Sequence, residues 1–475
     1  MFSNPNLPFT LFLHFTILIT HQALSITTTQ CHIDDENGLL AFKSGIIFDP
    51  SGMLNSWKPN TDCCKWDSVE CSPDPNNKRV TGLYIYGRAP EGINILSGQI
   101  SASLSRLKYL NSLLLKDLGN LTGPFPEFLF TLPNLSTISI PNSKLYGRIP
   151  KSIGNMTNLL TLDLSGNQFS GSMPSSLAKL ARLRELYLSD NRLSGRVPLS
   201  FKRLKNLFVL NLSRNQFTGT IPDIFKEPMT ILRFSNNKFT GKIPQSLLSV
   251  RAIVIDFGNN ELTGEIPEFG WAFDWIRELN LSRNQFSGSV PEWYGTLSKI
   301  SILDLSHNKL NGSFPEMNGV NTLDLSYNNF RFGSIPKWIG NTYMENLGMA
   351  KCGIKIKLND WIPIANYKNI DLSENEITGN PLQLLNSKVS LEGFYASKNK
   401  LKFDMKHMKV GKNLKLLDLS NNMVFGIVPK AVSRLKELNV SYNHLCGKLP
   451  ATKFLESAFL GNDCLCGAPL PPCKV

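Results

Sequence analysis

The sequence predicts a right-handed, curved α/β repeat solenoid with disulfide-capped ends and a parallel β-sheet on its concave face. Three observations predict it. Leu159, Leu162, Leu164, Asn167, Phe169, Gly171, Met173 and Pro174 return as Leu183, Leu186, Leu188, Asn191, Leu193, Gly195, Val197 and Pro198, a period of 24 residues. Self-similarity at such a period marks stacked units that contact only their neighbours. A ladder position, asparagine at all but Ser143 and Cys352, recurs every 20 to 24 residues up to Asn443 even where the rest of the pattern fades. Eight of nine cysteines lie at the two ends: Cys31, Cys63, Cys64 and Cys71, then Cys446, Cys464, Cys466 and Cys473.

In chain order, residues 1–25 carry no Lys, Arg, Asp or Glu, are mostly apolar from Leu7 to Thr20, and carry the small residues Ala23 and Ser25 near their end. That pattern predicts a secretory signal peptide, too short for a comfortable membrane span. Residues 26–79 do not repeat and are expected to cap the first open end, with a short helix over DDENGLLAFKSGI burying Leu39, Leu40 and Phe42. Residues 80–450 are the repeats, about sixteen of them, and 451–475 a second cap.

Within a repeat, LxL is a short strand whose leucines point inward and whose middle residue points outward. The asparagine sits where the chain leaves the strand, and its amide can satisfy backbone groups that would otherwise cost about 1–3 kcal/mol each. Glycine permits positive φ, and proline keeps the following segment from running on as a helix. The ladder position runs from Ser143 through Asn167 to Asn443, with Cys352 occupying one rung. Residues 344–412 lose the GxIP half but keep the ladder, so one unbroken solenoid with an altered convex side is expected. The pattern LxxLxLxxNxLxGxIP is that of a leucine-rich repeat.

The formal net charge of +13 favours acidic partners, a glycan or a protein. The exported character of the chain argues against nucleic acid. Cysteines clustered at the ends fit an oxidising compartment. The rival reading, zinc, normally shows C-x2-C pairs, which are absent. There is no HExxH, GxSxG, GxxxxGK[ST] or GxGxxG. No catalytic residue, metal or cofactor is expected. Asp304 and Asp324, outward in neighbouring strands, would lie about 5 Å apart, a spacing that suits a retaining glycosidase. LDLS is, however, the common strand sequence of these repeats, and the structural role is preferred.

Departures from the repeat consensus on the concave face are the candidate ligand-binding residues: Arg184, Tyr187, Asp190, Arg214, Arg233, Arg283, His307, Tyr327, Lys351 and Lys398. Aromatic and arginine side chains are typical interface anchors. Glu374, Tyr395 and Tyr442 share these columns. A basic cluster at Lys402, Lys406, His407, Lys409, Lys412 and Lys415 is a second candidate for acidic glycan. N-x-S/T sequons at Asn120, Asn134, Asn155, Asn211, Asn280, Asn311 and Asn439 are the expected glycosylation sites. Asn211, Asn280 and Asn439 are outward in their strands, where glycans would narrow the trough.

The end cysteines, LNSW, RVTGLYI and the GxIP repeats resemble plant secreted leucine-rich repeat proteins similar to polygalacturonase inhibitors and to DNA-damage-repair/toleration-like proteins. The resemblance implies disulfides Cys31–Cys63, Cys64–Cys71, Cys446–Cys464 and Cys466–Cys473. It also implies a non-enzymatic protein of the cell wall or apoplast, acting in defence through its concave face on a microbial wall-degrading enzyme or an acidic cell-wall glycan. The alternative is a soluble ligand-binding component of a receptor kinase complex, meeting a kinase ectodomain. Ice or wall-polymer binding by the convex face is a minor alternative. No membrane anchor of its own is expected.

Overall fold

The computed structural model describes residues 31–74, 77–87, 96–268, 274–361, 363, 366–386 and 390–473. The segment read as a signal peptide lies outside them. Among the described residues no helix is long and apolar enough to cross a membrane.

The leucines build one long sheet. Sixteen parallel strands follow each other in chain order from Val80–Tyr86 to Glu437–Asn439, in unbroken register. Val69–Cys71 adds an antiparallel edge to the first of them. Leu162, Leu186 and Leu210 pair across neighbouring strands and are fully buried. Each strand hands its neighbour a continuous apolar row, which no single repeat could bury alone.

The ladder holds the turns. Asn191 Nδ2 donates to Leu164 O, Leu188 O and Ser189 O at 2.9–3.2 Å, and its Oδ1 accepts from Phe169 N at 2.9 Å. The same set recurs through Asn443 and, beyond the expected ladder, at Asn462 in the terminal cap, which bonds Val440 O, Phe459 O and Leu445 N. That last rung has no LxL ahead of it, so its motif is not visible in sequence.

Outward Asp and Asn residues in LxL have a shared task. Asp163, Asp304, Asn211 and Asn280 each accept from the backbone N–H and the hydroxyl of the serine two positions on. This Asx turn ends the strand. It explains LDLS and LNLS as a strand terminator.

A second sheet runs along the flank. Ten parallel strands from Ser97–Gln99 to Lys309–Asn311, with Ile46–Phe48 antiparallel at the edge, use the Asn-x-Φ-x-Gly half of each repeat. It stops at Asn311 and, among the described residues, continues as the isolated bridges Gly333–Ile354, Lys357–Thr378 and Asp404–Phe425, as Thr378–Gly379 with Lys400–Leu401, and as Phe425–Gly426, His444–Lys448 and Cys464–Cys466. The concave sheet passes through this region without interruption, as expected. The flank changes earlier than the loss of GxIP suggests, already after Asn328. Gly171 follows its ladder asparagine by four positions, Gly333 follows Asn328 by five. The extra residue is accommodated between Phe330, buried like Phe169, and Ile335, buried like Met173, so the chain bulges there instead of pairing as a strand.

The caps close both ends. The helix Ile33–Ser44 buries Leu39 and Phe42, while Leu40 packs half-buried against the core. His32 caps it by accepting from Asp34 N. Asp35, fully buried, accepts from Arg79 Nε and Nη2 and from Val80 N at 2.8–2.9 Å, joining cap helix to first repeat. Trp57 and Trp66 stack at 5.7 Å behind it. The disulfides are Cys31–Cys63, Cys64–Cys71, Cys446–Cys464 and Cys466–Cys473. Cys31, Cys63 and Cys64 are close enough to suggest a metal cluster, but each is consumed in a disulfide.

Candidate binding face on the concave sheet

The residue just before each ladder position adopts left-handed φ, from Asn142 through Gly166 and Asp190 to Tyr442. Asn142, Gly166, Asn236, Asn259 and Asn421 are residue types that tolerate this region. Arg283, His307, Tyr327, Lys351, Glu374 and Lys398 are not, and they fill six consecutive repeats at φ 51–56°. Each such residue costs about 1–2 kcal/mol relative to glycine-like freedom. The strain places long side chains in one column along the rim of the trough.

These side chains meet. The rings of His307 and Tyr327 stack at 4.4 Å and 9°. Lys351 Nζ lies 6.0 Å from the Tyr327 centroid. Tyr327 Oη donates to Glu374 Oε1 at 3.3 Å, and Lys398 Nζ donates to the same oxygen at 2.8 Å. Burial and the Arg283 charge hold His307 below its ordinary pKa. Burial, then Glu374, raises the Tyr327 hydroxyl. The Lys398 hydrogen bond lowers Glu374. The stack is bordered by the basic side chains of Arg283, Lys351 and Lys398.

The other candidates divide. Asp190 and Arg214 form an exposed ion pair at 3.6 Å, with Arg184 exposed and Tyr187 half-buried nearby in sequence. Arg233 is bound by both carboxylate oxygens of Glu278, two strands away, at 3.0–3.2 Å. The sequence missed an apolar component: Phe208, Ile253 and Ile302 are 37–40% exposed at the leading ends of their strands. Their signal was present, as apolar residues immediately before or at the first position of a short strand.

Asp304 and Asp324 do pair in register. Each carboxylate is already taken by its own serine, Ser306 and Ser326, and burial raises Asp324 further. They terminate strands. The basic cluster is partly neutralised: Lys406 and His407 lie 3.0 and 3.9 Å from Asp404, and Lys415 bonds Glu392. Of the sequons, Asn134, Asn155 and Asn311 are exposed, Asn120 is half-buried in a flank strand, and Asn211, Asn280 and Asn439 are half-buried in the concave sheet.

Comparison with known proteins places the chain. Residues 32–72 match the leucine rich repeat N-terminal domain, 133–193 a leucine rich repeat model, and six further segments between 206 and 452 single repeats. Polygalacturonase inhibitor 2 of Arabidopsis thaliana is 38% identical over 114 residues, 23% of this chain and 34% of that protein. The DNA damage-repair/toleration protein DRT100 of the same plant is 35% identical over 123 residues, 24% of this chain and 32% of that one. These matches span about a third of the relatives' own length. Among solved structures, the plant peptide hormone receptor RGFR1 in complex with RGF2 aligns with a TM-score of 0.62 at 26% identity, covering 74% of this chain and 62% of that one. A leucine-rich repeat protein of Leptospira interrogans aligns with a TM-score of 0.52 at 25% identity over 78% and 86% of the two chains. With a matched N-terminal domain, a laddered solenoid and disulfides at both ends, the chain is a leucine-rich repeat protein similar to plant polygalacturonase inhibitors and DRT100.

Proposed function

We propose that this chain is a secreted, non-enzymatic recognition protein of the plant cell wall that binds an extracellular protein across the His307–Tyr327 column. The observation that carries the proposal is six successive bulky residues held left-handed. A scaffold gains nothing from that strain, and backbone strain concentrates where side chains must be aimed. Phe208, Ile253 and Ile302 supply the apolar part of the same trough. The similarity to polygalacturonase inhibitors supports a microbial wall-degrading enzyme as the partner, in defence. The disulfides support export. In this proposal residues 1–25 are a leader, 26–79 and 451–475 the caps, and 80–450 the recognising array.

The test is a binding and inhibition assay of the glycosylated protein against a panel of secreted microbial pectin-degrading enzymes. Capture of one enzyme is expected, with affinity reduced at least about tenfold by Tyr327→Asn with Arg283→Ala. Because asparagine suits left-handed φ, Tyr327→Asn keeps or raises the melting temperature, which separates lost binding from lost folding. No capture across the panel overturns the inhibitor form. A second reading, a ligand-binding component of a receptor kinase complex, rests on the alignment with a peptide hormone receptor. Crosslinking to a kinase ectodomain would favour it.

A further inference from the structure

Beside the last regular flank strand, Lys309–Asn311, lies a cleft of about 910 Å³, bordered by Asn311, Phe314, Asn329, Phe330, Arg331 and Phe332. Its origin is local. In regular repeats the amide two residues past the preceding rung donates to the ladder Oδ1: Leu145 N to Asn167, Phe169 N to Asn191, Leu193 N to Asn215. That bond pins the start of each flank strand. The amide of Phe330 falls at the position that Cys352 would serve. The Cys352 thiol instead points at Leu325 O and Ala350 O, at 3.4 and 3.5 Å. With the extra residue before Gly333, no strand forms over 329–332, and the cleft takes its place. Across the gap Asn329 N donates to Leu310 O at 2.7 Å.

The cleft is of ligand size. Phe314, Phe330 and Phe332 form an aromatic cluster, with ring centroids 6.2 and 5.1 Å apart in successive pairs. Phe330 and Phe314 are buried, while Phe332 is partly open and Arg331 and Asn329 are exposed. Asn311, itself exposed, opens the sequon Asn311-Gly312-Ser313 at the rim.

We propose that the N-linked glycan of Asn311 folds back into this cleft and covers its aromatic floor. The attachment is ordinary group transfer from a lipid-pyrophosphate-linked oligosaccharide. The Asn311 Nδ2 forms the bond to the anomeric carbon, the bond from that carbon to pyrophosphate oxygen breaks, lipid pyrophosphate leaves, and one amide proton passes to the transferase base. Sugar rings have apolar C–H faces that pack on an aromatic ring, here Phe332. Their hydroxyls meet the exposed side chains of Arg331 and Asn329. The proposal rests on export of the chain but not on what the concave face binds.

The test uses the full chain from a glycosylating plant host, with Asn155, exposed at the end of the short 3-10 helix Lys151–Asn155, as the reference site. Asn311 is expected to be occupied, and mannosidase trimming of the folded protein should be at least about tenfold slower there than at Asn155, the difference vanishing on denaturation. Asn311→Gln and Ser313→Ala should each speed amide exchange over 329–332 by about tenfold, and Asn155→Gln should not. Phe332→Ser keeps the sequon and should bring trimming at Asn311 up to the Asn155 rate. An unoccupied Asn311 overturns the proposal, and so does equal trimming with unchanged exchange. Concave-face binding should survive Asn311→Gln, so failure here and failure of the proposed function are separable.

Discussion

Cys352 is a thiol where the repeats on either side carry asparagine. Burial, with Asp324 and Asp371 nearby, pushes it far above the ordinary thiol range, so it stays neutral and inert. It donates weakly to two carbonyls and accepts poorly, which leaves its side of the turn under-bonded. Cys352→Asn should restore the set seen at Asn375, which bonds Met349, Leu372 and Ser373 carbonyls. The expected gain is about 1–2 kcal/mol in denaturant unfolding, with slower amide exchange at Phe330. A loss of stability would show that the packing around Cys352 has no room for the amide. At this scale the sequence revealed the odd residue and its column. It did not reveal the consequence, because the affected amide belongs to the previous turn of the solenoid. The left-handed column is similar: residues such as Tyr327 were visible as departures, but their φ was not. It is set by the turn that the ladder asparagine imposes.

Between Glu345 and Lys415, where the flank sheet is missing or short, side chains tie repeat to repeat. Glu376 bonds Lys355 and Lys400, Glu374 bonds Lys398, Glu392 bonds Lys415 and Glu345 bonds Lys368. The two lysine hydrogen bonds lower Glu376 to about 2, and the lysine partners lower the other three. A carboxylate whose folded pKa lies below its unfolded value stabilises the native state above the unfolded value. That contribution is lost as pH falls through the folded one. This segment should therefore loosen first as pH drops from about 4.5 toward 2, and sooner in high salt, because exposed pairs are screened. Amide exchange of the strands Asn369–Asp371 and Gly393–Tyr395 against pH would check it. Protection unchanged over that interval would remove these pairs from the account. The concave strands of this segment were legible in sequence, since LxL and the ladder recur on schedule. The gap in the flank sheet was not, since GSIP is present at Gly333–Pro336 and only its register is displaced by one residue.

Taken whole, the molecule is a row of units each stabilised by two neighbours, so its ends decide whether the row frays. The buried Asp35–Arg79 pair is the junction at the first end, with Arg79 also 4.4 Å over the Tyr109 ring. Asp35→Ala strands a buried guanidinium and the Val80 amide, at an expected cost of about 3–5 kcal/mol. Exchange and limited proteolysis should show the loss spreading inward from the first strands while the terminal cap stays protected. Uniform destabilisation of both ends would contradict the nearest-neighbour picture. The architecture was legible because one period governs most of the chain. What the trough binds was not, because the outward positions are those the period leaves free.

Asn462 engages the last repeat through Val440 O and Leu445 N, the same two bonds that the ladder asparagines make to the repeat before them. The terminal cap thus docks on a generic connector, indifferent to how many units precede it. Gene duplication or loss of a whole 24-residue segment would leave that connector intact. Length, and with it the reach of the trough, can drift between descendants without either end having to be reinvented.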